Sequence, residues 1–266
     1  MGRVLIAIAN RGFDPTEVAV PWRIFTAAGL TVTFATGDGC AGVCDTLTLM
    51  GPPIFARLLA AQADGVRSYH MMEASPEFQA PISYEDIVVE DYDAFILPGG
   101  HAPETRQFLE SVPLQQHAIS FLDSGRIVGA ICHGPLVLAR AKRADGSSPL
   151  AGRRMTALTW TMEMSAWAMT AWRLGTHYRT YPTPVQTEVV TALGQQGRFE
   201  TGPIFPSYSS PFVVNDSNLI SARWPGDAAS WAEALVEAIK ARRTDNARTA
   251  PHAQPTTHSE AAAPAR

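Results

Sequence analysis

The stretch Arg126-Ile127-Val128-Gly129-Ala130-Ile131-Cys132-His133-Gly134-Pro135 limits the possible folds more than any other part of the chain. After Arg126 it runs apolar without polar alternation, the pattern of a strand covered on both faces in a parallel sheet. Pro135 suits the first turn of a helix, so strand passes into helix through Cys132, His133 and Gly134 alone. Small residues at Ala130 and Gly134 permit the two backbones to close on each other. Such an elbow holds its central side chain out at the carboxyl end of the sheet, and here that side chain is the Cys132 thiol. The helix amino end that follows favours thiolate. A buried structural cysteine in an ordinary strand-to-helix turn is the competing explanation, but it leaves the flanking pattern unused.

The rest of the chain supports a parallel sheet. Val4 to Ala9 is a second continuous apolar run. Asp14 and Pro15 then mark a helix start, with Asp14 as cap, and Gly29 closes that helix before a β-branched strand from Thr31 to Thr36. A β-α-β opening of this kind belongs to a doubly wound α/β fold with a mostly parallel sheet sandwiched by helices. Gly37 to Asp91 breaks the rhythm and reads as an inserted helical lid region, with helices expected at Pro53 to Ala63 and Ala63 to Glu73. Strands follow at Tyr92 to Leu97 and Arg126 to Ile131, separated by a helix from about Pro113 to Asp123. Beyond the elbow helix, which reaches about Ala141, come a strand at Arg154 to Leu158 and helices at Met162 to Leu174 and Val185 to Leu193. Strands at Phe212 to Asn215 and Asn218 to Ala222 and a helix from Ala228 to Arg242 complete the pattern. One α/β domain over residues 1–243 is therefore expected, with a disordered tail over 244–266, where Pro, Ala, Thr, His and Ser replace any apolar period.

With 266 residues, 46% hydrophobic and 17% charged, the chain can bury a sizeable core without disulfides or metals. A net charge of -4 gives no reason to expect nucleic acid or an anionic membrane as partner. No apolar run is long enough to span a bilayer, and three unpatterned cysteines fit a reducing compartment, so a cytoplasmic protein acting on a small molecule is expected.

Two further stretches reach the same sheet edge as Cys132. Pro98-Gly99-Gly100-His101 follows a strand, and its glycine amides are suited to hold a substrate oxyanion. Glu17 lies near the start of the helix after the first strand. A surface acid favoured by the helix dipole would explain Glu17, but Val18, Ala19, Val20 and Pro21 around it point to a buried carboxyl. His101 and His177 are candidates to border the pocket. Cys40 and Cys44, four apart with no histidine nearby, do not make a zinc site, and no metal or organic cofactor is expected. Trp160, Trp167 and Trp172 share one helical segment and read as packing.

Together these motifs resemble the ThiJ/PfpI superfamily, whose fold is that of class I glutamine amidotransferase domains. The resemblance extends to about residue 242 and rests on Glu17 in Asp14-Pro15-Thr16-Glu17, on Pro98-Gly99-Gly100 and on Ala130 to Pro135. It implies that Glu17 hydrogen-bonds Cys132. The insertion and Pro81 to Ile87 look like the branch containing the bacterial heat-shock chaperone and fungal glyoxalase III proteins. In that branch an acid partners the histidine after the nucleophile, which implies a set of Cys132, His133 and Glu163. This chain departs from the branch around that acid, with Ala157 where a glycine is usual and Trp160, Thr161 and Met162 where acids are usual. It also reads Ser221-Ala222-Arg223-Trp224-Pro225-Gly226 in place of Thr-Gly-x-Asn-Pro. Trp160 and Trp224 therefore join the expected substrate-binding residues. A homodimer is implied, as is usual in the superfamily.

Three functions stay open on these grounds. One is a cofactor-independent, glyoxalase III-like enzyme converting a small 2-oxoaldehyde such as methylglyoxal to a 2-hydroxy acid. The second is a thiol-dependent amide, nitrile or isonitrile hydrolase or hydratase with a larger aromatic substrate. The third is a holdase chaperone or a redox sensor acting through Cys132.

Overall fold

The computed structural model describes residues 2–50 and 60–249. The central sheet is built from β1 (Arg3–Ala7), β3 (Thr31–Thr36), β5 (Ile82–Ser83), β6 (Ala94–Leu97), β7 (Ile127–Ile131), β10 (Val213–Asp216) and β11 (Leu219–Ala222). Two short pairings lie outside it: β2 (Arg11–Phe13) with β4 (Val43–Cys44), and β8 (Arg154–Met155) with β9 (Arg198–Phe199). Sheet order is β10-β11-β7-β6-β1-β3-β5, parallel throughout except for the β10–β11 hairpin. Strands β1, β6 and β7 lie side by side, with Ile6 opposite Ile96 and Ile96 opposite Gly129. Every residue of β6, β7 and β11 is buried, which is why these strands read as continuous apolar runs.

The helices in chain order are α1 (Pro15–Ala27), α2 (Thr46–Met50), α3 (Ala63–Glu73), α4 (Pro76–Gln79), α5 (Arg106–Leu109), α6 (Val112–Asp123), α7 (Pro135–Arg140), α8 (Trp160–Leu174), α9 (Val185–Leu193) and α10 (Ala228–Thr249). Helices α1, α3 and α10 pack as one group, and α6, α7 and α9 as another. The chain leaves β1 toward β3 on one side and returns to β6 on the other. The point where strand order reverses, between the carboxyl ends of β1 and β6, is where open α/β sheets place their ligands.

The expected doubly wound α/β fold is present, with local differences. Helix α3 occupies the expected Ala63 to Glu73, but it lies against α1, burying Tyr69 and Met72, and the segment returns to the sheet as edge strand β5. Most of the helix expected at Pro53 to Ala63 falls outside the described residues. The strand expected from Arg154 to Leu158 pairs over only two residues and belongs to the separate β8–β9 ribbon. Helix α10 continues past Arg242 to Thr249, and the remainder of the expected tail lies outside the described residues. Among the described residues no helix is long and apolar enough to cross a membrane.

Candidate active site

Strand β7 delivers Cys132 into a left-handed conformation, φ 59°. A non-glycine residue held there costs about 1–3 kcal/mol, so its surroundings must enforce it. They do so from both sides, since the Cys132 amide donates to the Ala222 carbonyl at 3.2 Å and its own carbonyl accepts from the Leu158 amide at 3.2 Å. Gly134 lets the turn close, because a Cβ there would collide with the Leu97 carbonyl at the end of β6.

Glu17 reaches the same point from α1. Its carboxyl is fully buried, and Oε2 accepts from the Gly99 amide at 3.0 Å. A Cβ on Gly99 would fall 2.8 Å from both the Cys132 Cβ and Glu17 Oε2, which measures how closely elbow, acid and glycine turn meet. Asp14 anchors the arrangement, donating its amide to the Gly99 carbonyl at 3.0 Å while its Oδ1 caps α1 through Thr16 and Glu17. Burial, followed by repulsion from Asp14, pushes the Glu17 carboxyl well above the usual carboxylate range. Asp14 itself is pushed to about 7, chiefly by burial. The Cys132 thiol is raised too, first by burial and then by the negative charge of Glu17 and Asp14. Near neutral pH Glu17 and Cys132 therefore hold their protons while Asp14 lies close to its midpoint, and the Glu17 carboxyl bonds to the Cys132 thiol.

His133 is fully buried, with Nδ1 3.3 Å from the Cys132 sulfur. Its other nitrogen, Nε2, lies 3.2 Å from the Thr180 hydroxyl. That hydroxyl donates to the His101 carbonyl at 2.7 Å, so its oxygen is left to accept from His133 Nε2–H. His133 then presents an unprotonated Nδ1 to the thiol. Burial, then the neighbouring His101 and Arg140, lower its pKa to about 3, which keeps the ring neutral. Arg106 fixes Thr180 from below by donating from Nε to its carbonyl at 3.0 Å.

Glu163, expected to orient His133, is placed elsewhere. Its Oε2 accepts from the Val185 amide at 2.9 Å, capping α9, and the position at His133 Nε2 belongs to Thr180. Trp160 does not stand over Cys132. It is 52% exposed and lines a cleft of about 340 Å³ with Thr161, Gln186 and residues 201–204, and Cys132 is not among the walls. Trp172, 65% exposed, is not packed in the core either. Trp224 does approach the site through Tyr208, its edge-to-face partner at 4.8 Å. Tyr208 is near enough to Asp14 and Glu17 that its hydroxyl, raised mainly by burial and then by Asp14, sits at about 12. Arg223, wholly buried, pairs with Asp227 at 2.9 Å and donates to the Pro203 carbonyl at 3.2 Å, tying the segment that carries Tyr208 to the end of β11.

The expected oxyanion donors divide. The Gly99 amide is occupied by Glu17 and the His133 amide faces the Cys132 sulfur, whereas Gly100 is buried against the backbone of Gly12 and Phe13. His101 borders the site, its ring 6.3 Å from that of His133. Sequence reasoning missed Thr180 and Asp45; the latter holds His177 Nε2 at 2.9 Å beside His101. Asp45 stands as a cap before α2, through the Leu47 amide and the Thr48 hydroxyl, which gives no hint of its distant partner His177, and the contact of Thr180 with His133 spans 47 residues.

A mostly parallel sheet whose strand-to-helix elbow buries a cysteine against a glutamate defines a class of α/β proteins. The chain belongs to the ThiJ/PfpI superfamily: the family described as ThiJ/PfpI family-like matches residues 8–203. A probable glutathione-independent glyoxalase of Schizosaccharomyces pombe, hsp3104, is 27% identical over 157 residues, 58% of this chain and 64% of that one. General stress protein 18 of Bacillus subtilis is 34% identical over 146 residues, 55% and 69% of the two chains. The chain spans only 54% of an uncharacterised S. pombe protein, 26% identical over 147 residues, and 40% of an Archaeoglobus fulgidus protein, 39% identical over 79 residues. The crystal structure of glyoxalase III from Candida albicans superposes with a TM-score of 0.66 at 20% identity, covering 89% of this chain and 97% of that one, and so shares the fold.

Proposed function

We propose that this protein is a glutathione-independent glyoxalase-type enzyme that converts a small 2-oxoaldehyde to a 2-hydroxy acid. The observation that carries the reading is the contact of Cys132 with two proton-exchanging groups, His133 Nδ1 at 3.3 Å and the buried Glu17 carboxyl, in a site where Cys132 is only 3% exposed. Relatives named as glutathione-independent glyoxalases and deglycases support it.

Cys132 adds to the aldehyde carbon while His133 Nδ1 takes the thiol proton, and the aldehyde oxygen becomes the hydroxyl of a hemithioacetal. The His133 amide, which faces the Cys132 sulfur, stabilises the intervening oxyanion. Removal of the proton from the former aldehyde carbon gives an enediol, and return of a proton to the neighbouring carbon gives a thioester of the 2-hydroxy acid. Water then releases the acid and restores the thiol, so that one water is consumed and no oxidant or reductant is needed. A neutral His133 and a protonated Glu17 suit proton exchange between adjacent carbons. The closed site favours a substrate of few heavy atoms over a large aromatic one.

The test is turnover of methylglyoxal to lactate without glutathione. Wild-type protein is expected to turn over and Cys132→Ala to be inactive; equal rates from the two would overturn the proposal.

A further inference from the structure

Asp45, His101 and His177 come from three separate segments: the residue before α2, the turn after β6 and the loop between α8 and α9. The structure brings one ligand-type atom of each within 4.8 Å of the others. Asp45 Oδ2 lies 2.9 Å from His177 Nε2 and 3.9 Å from His101 Nε2. Donor atoms that each sit about 2.0–2.1 Å from a common zinc ion are about 3.0–3.4 Å apart, so the Asp45–His101 separation needs to close by about half an ångström and the separation of the two imidazoles, within 4.8 Å, by at most about 1.4–1.8 Å.

The surroundings are those of a built site. Asp45 is oriented by the Leu47 amide, which donates to Oδ1 at 2.9 Å, and by the Thr48 hydroxyl, which donates to Oδ2 at 3.0 Å; such partners fix a ligating carboxylate. Tyr178 stacks on His101 at 4.3 Å, and its buried hydroxyl faces Thr48 and Asp45 without a well-aligned hydrogen bond among the described residues. A water on a bound ion would give that hydroxyl its partner. The side chains are shielded but reachable, at 5%, 15% and 18% exposure for Asp45, His101 and His177. Two imidazoles and a carboxylate suit zinc, nickel or ferrous iron far better than magnesium or calcium.

We propose that Asp45 Oδ2, His101 Nε2 and His177 Nε2 bind one divalent transition-metal ion of the zinc class, with a water in the open position beside Tyr178. The ion is separate from Cys132 and fastens three loops at the rim of the site. Among them is the turn whose His101 carbonyl receives the Thr180 hydroxyl, so metal occupancy also steadies the residue that orients His133.

The experiment uses the full chain freed of metal and titrated with cobalt(II), read by visible absorbance, and with zinc, read by calorimetry and thermal melting. One ion per chain is expected, with a higher melting temperature. Asp45→Asn and His177→Gln are each expected to weaken binding at least about tenfold, whereas Cys132→Ala and Cys40→Ser bind as the wild type does. If Asp45→Asn does not fold, His177→Gln, on a partly exposed loop, decides alone. The proposal is overturned if the wild type binds no ion, if the foldable ligand variants bind like the wild type, or if binding is lost with Cys132 or Cys40. Because the readout is binding, the result is independent of whether methylglyoxal is a substrate.

Discussion

Asp14→Asn separates the helix-capping role of Asp14 from the energetic burden of its charge. Asp14 is 1% exposed, and its Oδ1 caps α1 while Oδ2 has no partner among the described residues. Asparagine keeps the capping oxygen and removes the charge. A carboxyl whose folded pKa is raised binds its proton more tightly folded than unfolded. It therefore contributes stability below the unfolded value, and that contribution is lost as pH rises toward the folded one. The interval from 3.8 to about 7, at about 1.4 kcal/mol per pH unit, amounts to about 4 kcal/mol. Against this, the buried asparagine NH₂ costs about 1–3 kcal/mol at every pH. The variant should be less stable than wild type at pH 4 and more stable at pH 8, with the difference swinging by about 4 kcal/mol between them. Urea unfolding of both proteins across that range measures the swing. His101 and His133, whose folded values are lowered, impose an opposite slope, but it is common to both proteins and cancels in the difference. A swing below about 1 kcal/mol would refute the reasoning, because it would mean that Asp14 is solvated or paired in solution.

Two further outcomes follow from the same geometry. Thr180→Val leaves His133 Nε2–H without an acceptor and is expected to lower kcat for methylglyoxal about tenfold or more with little change in KM, while Thr180→Ser recovers it; Glu163→Gln, which retains the α9 cap, should stay within about threefold of wild type. Equal losses from Thr180→Val and Glu163→Gln in steady-state kinetics would return Glu163 to the site. Arg223→Met leaves the buried Asp227 carboxylate without its ion-pair partner and should cost about 3–5 kcal/mol of stability by thermal or urea unfolding. A loss of less than about 1 kcal/mol would show that the Arg223–Asp227 pair does not hold the Tyr208 segment.

What the sequence disclosed and what it withheld divide along the range of the interactions concerned. Helix α1, strand β3, the elbow and helix α9 are announced by neighbours in the chain: a cap before a proline, an apolar run, small residues about a cysteine. Glu17 was legible for the same reason, since four apolar residues follow it and burial raises a carboxyl wherever it occurs. Edge strand β5, two residues long, pairs with Ala35 and Thr36, and no periodicity can reveal so short an element.

The partner of His133 lies at the far end of that range. Proton bookkeeping at His133 requires an acceptor at Nε2, and sequence reasoning supplied an acid because resemblance places one near Glu163. The fold supplies a threonine 47 residues away in sequence. This difference is chemical as well as positional. A carboxylate at Nε2 would stabilise imidazolium and draw the proton off Cys132 at rest, whereas the Thr180 hydroxyl fixes the tautomer without offering charge. With Glu17 holding its own proton, the pair of Cys132 and His133 stays neutral until an electrophile arrives. In the proposed reaction thiolate forms only in the act of addition, an order of events that would guard a buried thiol from oxidation and tie its reactivity to a substrate small enough to enter.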